Sequence, residues 1–151
     1  MRLIKKALAI ILVAVQVFSM LPASIYAESI GAVIDLSDTS PPSSGTGWTY
    51  SSSTYTITGD VTVTMPPEIA QVTNRRIVIS GGTEPNPCRV TLLDVNMSYS
   101  ANAPIVLNTG AHAVLILDGT NTITSTGANF AGIQTTGAFL TIWEAAQWAA
   151  Q

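Results

Sequence analysis

The sequence predicts an all-β protein, a right-handed parallel β-helix (solenoid) of about three coils. Similar apolar segments recur at Val90–Asp94, Val114–Asp118 and Leu140–Ile142. Matching turns, N-T-G-A at Asn108–Ala111 and T-T-G-A at Thr135–Ala138, precede the second and third of them. The spacing of about 24 to 27 residues is typical of solenoids, in which short repeats bury their apolar faces by stacking on one another.

The N-terminal residues have the composition of an export signal. Three basic residues among the first six precede the almost wholly apolar stretch Ala7–Val17, and Ala27 is the expected cleavage position. The stretch is short for a membrane-spanning helix, which is the alternative interpretation. We therefore predict that residues 1–27 are a cleaved signal peptide and that the protein is secreted or displayed at the cell surface.

The net charge of the chain after the signal excludes two classes of partner. Beyond Ala27 the chain has three arginines and nine carboxylates, a net charge near −6. This balance gives no electrostatic basis for binding nucleic acid or an anionic membrane once the signal is removed.

Cys88 is the only cysteine, so no disulfide forms within the chain. We interpret it as a small buried apolar residue, with a reactive thiol as the alternative.

The chain after the signal divides into three parts. Residues 28–53 form a short apolar lead-in and a loop rich in Ser, Thr, Gly and Pro. Residues 54–142 form the predicted solenoid, in which alternation over Thr54–Thr64 and the compact segment Ile77–Ser80 indicate strands. An antiparallel all-β domain is the main alternative for these short strands.

Stacked coils require equivalent side chains to align in columns. Letter-by-letter matching of the repeats predicts three columns. They are Val90 with Val114 and Leu140, Leu92 with Ile116 and Ile142, and Ile105 or Leu107 with Ile133.

The tail, residues 143–151, is helix-prone and has no glycine or turn residue, in contrast to the preceding chain. One explanation is a capping helix, because solenoid ends require covers. The other is a shift of reading frame, because back-translation from the third base of the Trp143 codon permits a glycine-rich turn and a new strand. Our hypothesis is that the chain is a truncated piece of a longer surface protein.

The segment Arg89–Ile142 resembles a known family. It contains V-T-L-L-D-V-N-M, A-P-I-V-L-N-T-G-A, V-L-I-L-D-G-T-N-T-I-T and A-G-I-Q-T-T-G-A-F-L-T-I, about a third of the chain. These motifs resemble bacterial extracellular carbohydrate-binding domain-containing surface proteins with a right-handed parallel β-helix. The resemblance implies export, binding of extracellular polysaccharide and, at acidic corners, calcium. It transfers no catalytic motif, and the tail after Ile142 departs from the pattern.

Two sets of residues are candidate sites. Trp48, Tyr50 and Tyr55 are a candidate carbohydrate-stacking platform, since aromatic rings present flat apolar faces; the alternative is that they cap the first coil. Asp94, Asp118, Asn96 and Asn121 are candidate calcium ligands, because calcium binds carboxylate and carbonyl oxygens. The alternative is that these four hold their own turns.

No constellation of catalytic residues is evident. The only histidine, His112, is predicted to lie solvated in a turn, and no pair of carboxylates suits glycoside hydrolysis. We predict a non-enzymatic surface module for carbohydrate binding or adhesion, without a required cofactor. A structural β-helical spacer is the first alternative. A relative of the polysaccharide lyases is the second, although fold likeness alone is weak support for it. The oligomeric state is not defined by the sequence.

Overall fold

A computed structural model of the chain describes residues 32–148. The predicted signal peptide, residues 1–27, and the last three residues of the tail lie outside the described residues. Within residues 32–148, no helix is long and apolar enough to cross a membrane. The elements are β1 (Ala32–Asp35), β2 (Ser44–Gly45), β3 (Trp48–Ser51), β4 (Thr54–Ile57), β5 (Val61–Thr64), β6 (Arg76–Ile79), β7 (Cys88–Leu93), β8 (Asn96–Tyr99), β9 (Ile105–Leu107), β10 (His112–Asp118), β11 (Thr122–Ser125), β12 (Ile133–Thr135), β13 (Phe139–Glu144) and α1 (Ala145–Trp148).

Three sheets form the sides of a coil. Sheet A contains β1, β5, β7, β10 and β13 in that order, with all neighbours parallel. Sheet B runs from β12 through β9, β6, β4 and β3 to β2, and sheet C pairs β8 with β11. From β5 onward the chain passes from sheet A to sheet C to sheet B in every turn. In the first of these turns Val72 substitutes for a strand of sheet C by bridging to Met97.

This winding confirms the predicted fold class, an all-β parallel β-solenoid. The structure has about four turns rather than three, because the lead-in 28–53 also contributes strands. β1 pairs in parallel with β5, while β2 and β3 extend sheet B antiparallel to β4. At the other end, Trp143 and Glu144 of the predicted tail complete β13, and α1 follows at once.

The first predicted column, Val90 with Val114 and Leu140, is wrong by one residue in β10. Val90 pairs with Leu115, and both are buried in the core. Val114 instead lies opposite Arg89 on the outward face of sheet A. Leu140 belongs to a neighbouring inward column. The spacing from Val90 to its true partner in β10 is therefore one residue longer than the spacing predicted by matching the repeated sequence.

The second predicted column, Leu92 with Ile116 and Ile142, is wrong for the same reason. Leu92 pairs with Leu117, and Ile142 pairs with Leu115. The cause lies in β10, where five consecutive apolar residues leave no alternation to mark the inward face. A slip of one residue moves every side chain of a strand to the opposite face of the sheet. In sheet B the predicted stacking of Ile105 on Ile133 is confirmed.

Two corner glycines with similar backbone angles give a test of how tightly the coils pack. Gly82 has φ +83° and Gly110 has φ +81°, a region that favours glycine. A Cβ on Gly82 would overlap the carbonyl oxygen of His112 in the next coil, whereas a Cβ on Gly110 would meet nothing within 4 Å.

We expect Gly110→Ala to lower the free energy of unfolding by about 1 kcal/mol, the conformational cost alone. Gly82→Ala should lower it by about 2 kcal/mol, because backbone must also shift to accommodate the methyl group. Urea unfolding followed by circular dichroism measures both values. Equal losses for the two variants would contradict the close approach of the coils at Gly82.

Candidate functional site

The last two strands of sheet A have an apolar face directed outward as well as one directed inward. Ala113 and Leu115 of β10 belong to the buried core, so the alternate residues of that strand point away from it. The register carries the same alternation into β13. We call the outward surface of these strands the outer platform; it consists of His112, Val114, Ile116, Phe139, Thr141 and Trp143.

The central residues of the outer platform are apolar and buried. Val114 and Ile116 are buried although they lie outside the core cluster. Val114 pairs with Arg89 of β7 and with Thr141 of β13. Ile116 pairs with Thr91 of β7 and with Trp143 of β13. Parallel strand pairing on both sides fixes the positions of these side chains relative to one another.

Phe139 is the most exposed large apolar side chain of the outer platform. It is 65% exposed and stacks on His112, with ring centroids 4.4 Å apart and an interplanar angle of 22°. The imidazole therefore supports the phenyl ring while most of the ring remains in contact with solvent. Trp143, half-exposed, lies four residues further along the same strand face, roughly 13 Å away at the usual strand rise.

Charges lie at the rim of the outer platform rather than on it. The guanidinium of Arg89 is 3.4 Å from the Asp60 carboxylate, and the Arg89 backbone N–H donates to the same carboxylate at 2.8 Å. Both side chains are about half exposed, so the ion pair adds little stability. The exposed residues of the outer platform, Phe139 and Thr141, carry no charge and suit an uncharged ligand.

The aromatic residues predicted to stack on sugar lie at the opposite end of the solenoid. Trp48 and Tyr55 are buried, and the centroid of the Tyr55 ring is 5.5 Å from that of Trp48 and 4.6 Å from that of Tyr50. The Arg75 guanidinium lies over the Tyr50 ring at 5.2 Å. The ring faces of this group are thus occupied by protein, an arrangement that suits the alternative role of capping the first coil.

The four predicted calcium ligands lie at the corner between sheets A and C. Asp94 and Asp118 are not at equivalent positions, since Asp118 pairs with Leu93 of the preceding coil. Among the described residues, no three histidine, cysteine or acidic side chains are grouped to hold a metal ion.

Three of these residues, Asp94, Asn96 and Asn121, accept hydrogen bonds from a neighbouring coil through a side-chain oxygen. Asp94 Oδ1 accepts from the Thr120 N–H at 2.8 Å, and Asn121 Oδ1 accepts from the Val95 N–H at 2.9 Å. Asn96 Oδ1 accepts from Gln71 Nε2 at 3.1 Å. These bonds join neighbouring coils, and of the four residues only Asn121 also bonds within its own turn, where its Nδ2 donates to the Asp118 carbonyl oxygen at 2.8 Å.

Cys88 lies beside a polar notch of about 260 Å³ near Asp60, Asn86 and Arg89. The thiol itself is buried. Burial, and then the Asp60 carboxylate, raise the pKa of Cys88 above its ordinary value. Because the thiolate is the reactive form, this environment gives the residue the character of a packed apolar side chain rather than of a nucleophile.

The outer platform was not predicted from the sequence. His112 was predicted to lie in a turn, whereas it begins β10 and stacks on Phe139. The signal that was present is the alternation in Phe139–Trp143, where Phe, Thr and Trp occupy every second position. It was obscured because Trp143 was assigned to the tail.

Neither a family model, a curated protein nor a solved structure matches the chain. The likeness to carbohydrate-binding surface proteins therefore rests on the motifs of Arg89–Ile142 alone. The β-solenoid rests on its own strand pairing, which brings β10 and β13 into one surface.

Proposed function

We propose that the chain is an exported, surface-displayed module that binds an uncharged polysaccharide on the outer platform. The observation that supports this most directly is the exposed ring of Phe139, which stacks on His112 on the outward face of sheet A. A sugar ring has one face of C–H groups, and such a face packs on an aromatic ring while its hydroxyls remain hydrated. Phe139 would contact one sugar unit of an extended chain.

The charge distribution favours a neutral over an acidic polymer. The chain beyond Ala27 carries a net charge near −6, so a polyuronate would be repelled at low ionic strength. The nearest cation to the outer platform, Arg89, is already hydrogen-bonded to Asp60. We infer export from the signal-like composition of residues 1–27.

A structural spacer is the second candidate function. Parallel coils stacked at about 4.8 Å per turn make a stiff rod, and such a rod positions other modules without binding a ligand of its own. The two functions differ in what they require of Phe139, because a spacer does not need an exposed aromatic ring. A lyase-type activity remains the least supported candidate. Its test is the absorbance of unsaturated products on pectin with added calcium.

We expect the purified protein to be retained by insoluble cellulose or xylan and to be retained less by pectin. Phe139→Ala should weaken retention about tenfold, equivalent to roughly 1.4 kcal/mol of lost contact. The measurement is a depletion isotherm on each polymer.

Phe130→Ala is the matched control for this experiment. Phe130 is also a partly exposed phenylalanine, 40% exposed, but it lies in the turn before β12, away from sheet A. Its substitution should leave retention unchanged. Absence of retention on every polymer would refute carbohydrate binding and favour the spacer, and equal losses for both variants would refute the assignment to the outer platform.

A further inference from the structure

The polar notch beside Cys88 lies within the stack of coils rather than at one of its ends. It has a volume of about 260 Å³ and is formed by the turns that enter β5 and β7, including Thr58, Asp60 and Asn86. Each of these strands is paired on both sides, β5 with β1 and β7, and β7 with β5 and β10. Neighbouring coils on both sides therefore fix the shape of the notch.

The polar notch adjoins the stacked rings of the outer platform along the solenoid axis. Gly82, which lines the notch, packs so closely against the carbonyl oxygen of His112 that a Cβ would overlap it. The parallel register of β7 and β10 places Pro87, another lining residue, opposite His112, and His112 pairs with Phe139. Two strand spacings, about 10 Å, therefore separate this wall of the notch from Phe139.

The charged groups of the notch suit a neutral ligand that donates hydrogen bonds. The Asp60 carboxylate accepts the Arg89 backbone N–H at 2.8 Å and a guanidinium N–H of the same residue at 3.4 Å. A carboxylate has roughly four lone-pair positions, so Asp60 has capacity for hydroxyl donors as well. Because the guanidinium offsets the carboxylate charge, the notch offers no net attraction to an ionic ligand.

Asn86 adds a hydrogen-bond donor and an acceptor to the notch. Its backbone N–H and carbonyl oxygen exchange hydrogen bonds with Thr83 at 3.1 and 3.0 Å, which closes the turn. Its side-chain amide makes no hydrogen bond to the described part of the chain. An amide has two N–H donors and a carbonyl acceptor, so it can donate to one hydroxyl group and accept from the next. Adjacent hydroxyl groups of this kind are characteristic of sugars.

We infer that the polar notch binds the hydroxyl groups of a second unit of the polysaccharide chain that packs on Phe139. The inference rests on the proposed function and names its ligand class, a neutral glycan with adjacent free hydroxyls and no acidic substituent. Asp60 accepts from these hydroxyls, and the Asn86 amide donates to one and accepts from another. A concavity in which a few placed polar groups accompany an apolar contact is the usual composition of a ligand site. The glycan runs along the solenoid axis, because the notch and Phe139 succeed one another in that direction.

Asn86→Ala tests the inference by the depletion isotherm on insoluble cellulose or xylan. We expect retention to weaken about three- to tenfold, the effect of one or two lost hydrogen bonds. The melting temperature should stay unchanged, because main-chain bonds close the Asn86 turn. Asn74→Ala is the matched control: Asn74 is also exposed and also stands two residues before a strand, but it precedes β6 of sheet B. It should leave retention unchanged.

The outcomes separate the notch from the proposed function. Retention of the wild type with equal behaviour of Asn86→Ala and Asn74→Ala would overturn the role of the notch, while a loss in Phe139→Ala would still support the outer platform. A wild type that no polymer retains would refute the proposed function and the notch together.

Soluble sugars of different length give a readout on the wild type itself. Because the two contacts are about 10 Å apart, a single sugar unit reaches only one of them, whereas a chain of four reaches both. The concentration that halves retention on xylan should be at least tenfold lower for xylotetraose than for xylose, since linked contacts reinforce each other. Asn86→Ala should lose most of this gain and Asn74→Ala should keep it. A wild type without the gain, or an equal gain in Asn86→Ala, would contradict a glycan that spans Phe139 and the notch.

Discussion

Leu92→Ala is expected to lower the free energy of unfolding by about 2–5 kcal/mol, the range for truncation of a fully buried leucine. Leu92 is fully buried in sheet A, between Val63 of β5 and Leu117 of β10. Each coil contacts only its neighbours, so the cavity would weaken two coil–coil contacts together. Urea unfolding at neutral pH, followed by far-ultraviolet circular dichroism, measures the loss.

Leu93→Ala is the control for this prediction, since it makes the same truncation one residue further along. Leu93 is half-buried, faces outward, and pairs with Thr64 and Asp118. We expect a loss below about 1 kcal/mol, the usual size for a site outside the core. A larger loss for Leu93→Ala than for Leu92→Ala would mean that the inward and outward faces of sheet A are assigned the wrong way round.

The fold was predictable because the information that specifies a solenoid repeats along the chain. The two T-G-A turns and the recurring apolar segments mark successive corners and strands, and an error in one copy does not hide the period. The register within sheet A was not predictable from letters. In β10 both faces of the strand are apolar, so Val114 and Leu115 are equivalent in hydrophobicity and only three-dimensional packing separates them.

The residue type of the candidate site was predictable from the sequence, but the position of the site was not. The sequence showed which residues are aromatic, but their burial could not be read from composition. Trp48 and Tyr55 are buried in the first coil. Phe139 is exposed and stacks on His112, which lies 27 positions earlier in the chain. A contact of that kind depends on the register of two coils, which the sequence left uncertain by one residue.

The buried Tyr55 makes a second large effect predictable, a loss of stability in alkaline solution. Its hydroxyl donates to the carbonyl oxygen of Asp35 at 3.3 Å. Burial raises the pKa of Tyr55 to about 12, against the lowering effect of Arg75. In the unfolded chain the phenol ionises near its ordinary pKa of about 10. Stability is therefore intact below pH 10 and falls as the pH rises from 10 to 12, because only the unfolded state releases the proton readily.

The loss due to Tyr55 should approach about 2–3 kcal/mol at pH 12, and Tyr55→Phe should keep only the alkaline loss that comes from the raised pKa of the Cys88 thiol. At pH 8 that variant should be less stable than the wild type by about 1 kcal/mol, because its hydrogen bond to Asp35 is missing. The two stability curves should then cross on the alkaline side. Tyr99→Phe, at a half-buried position in β8, provides the control and should keep the full alkaline loss. Parallel curves for the wild type and Tyr55→Phe would show that ionisation of another group drives alkaline unfolding.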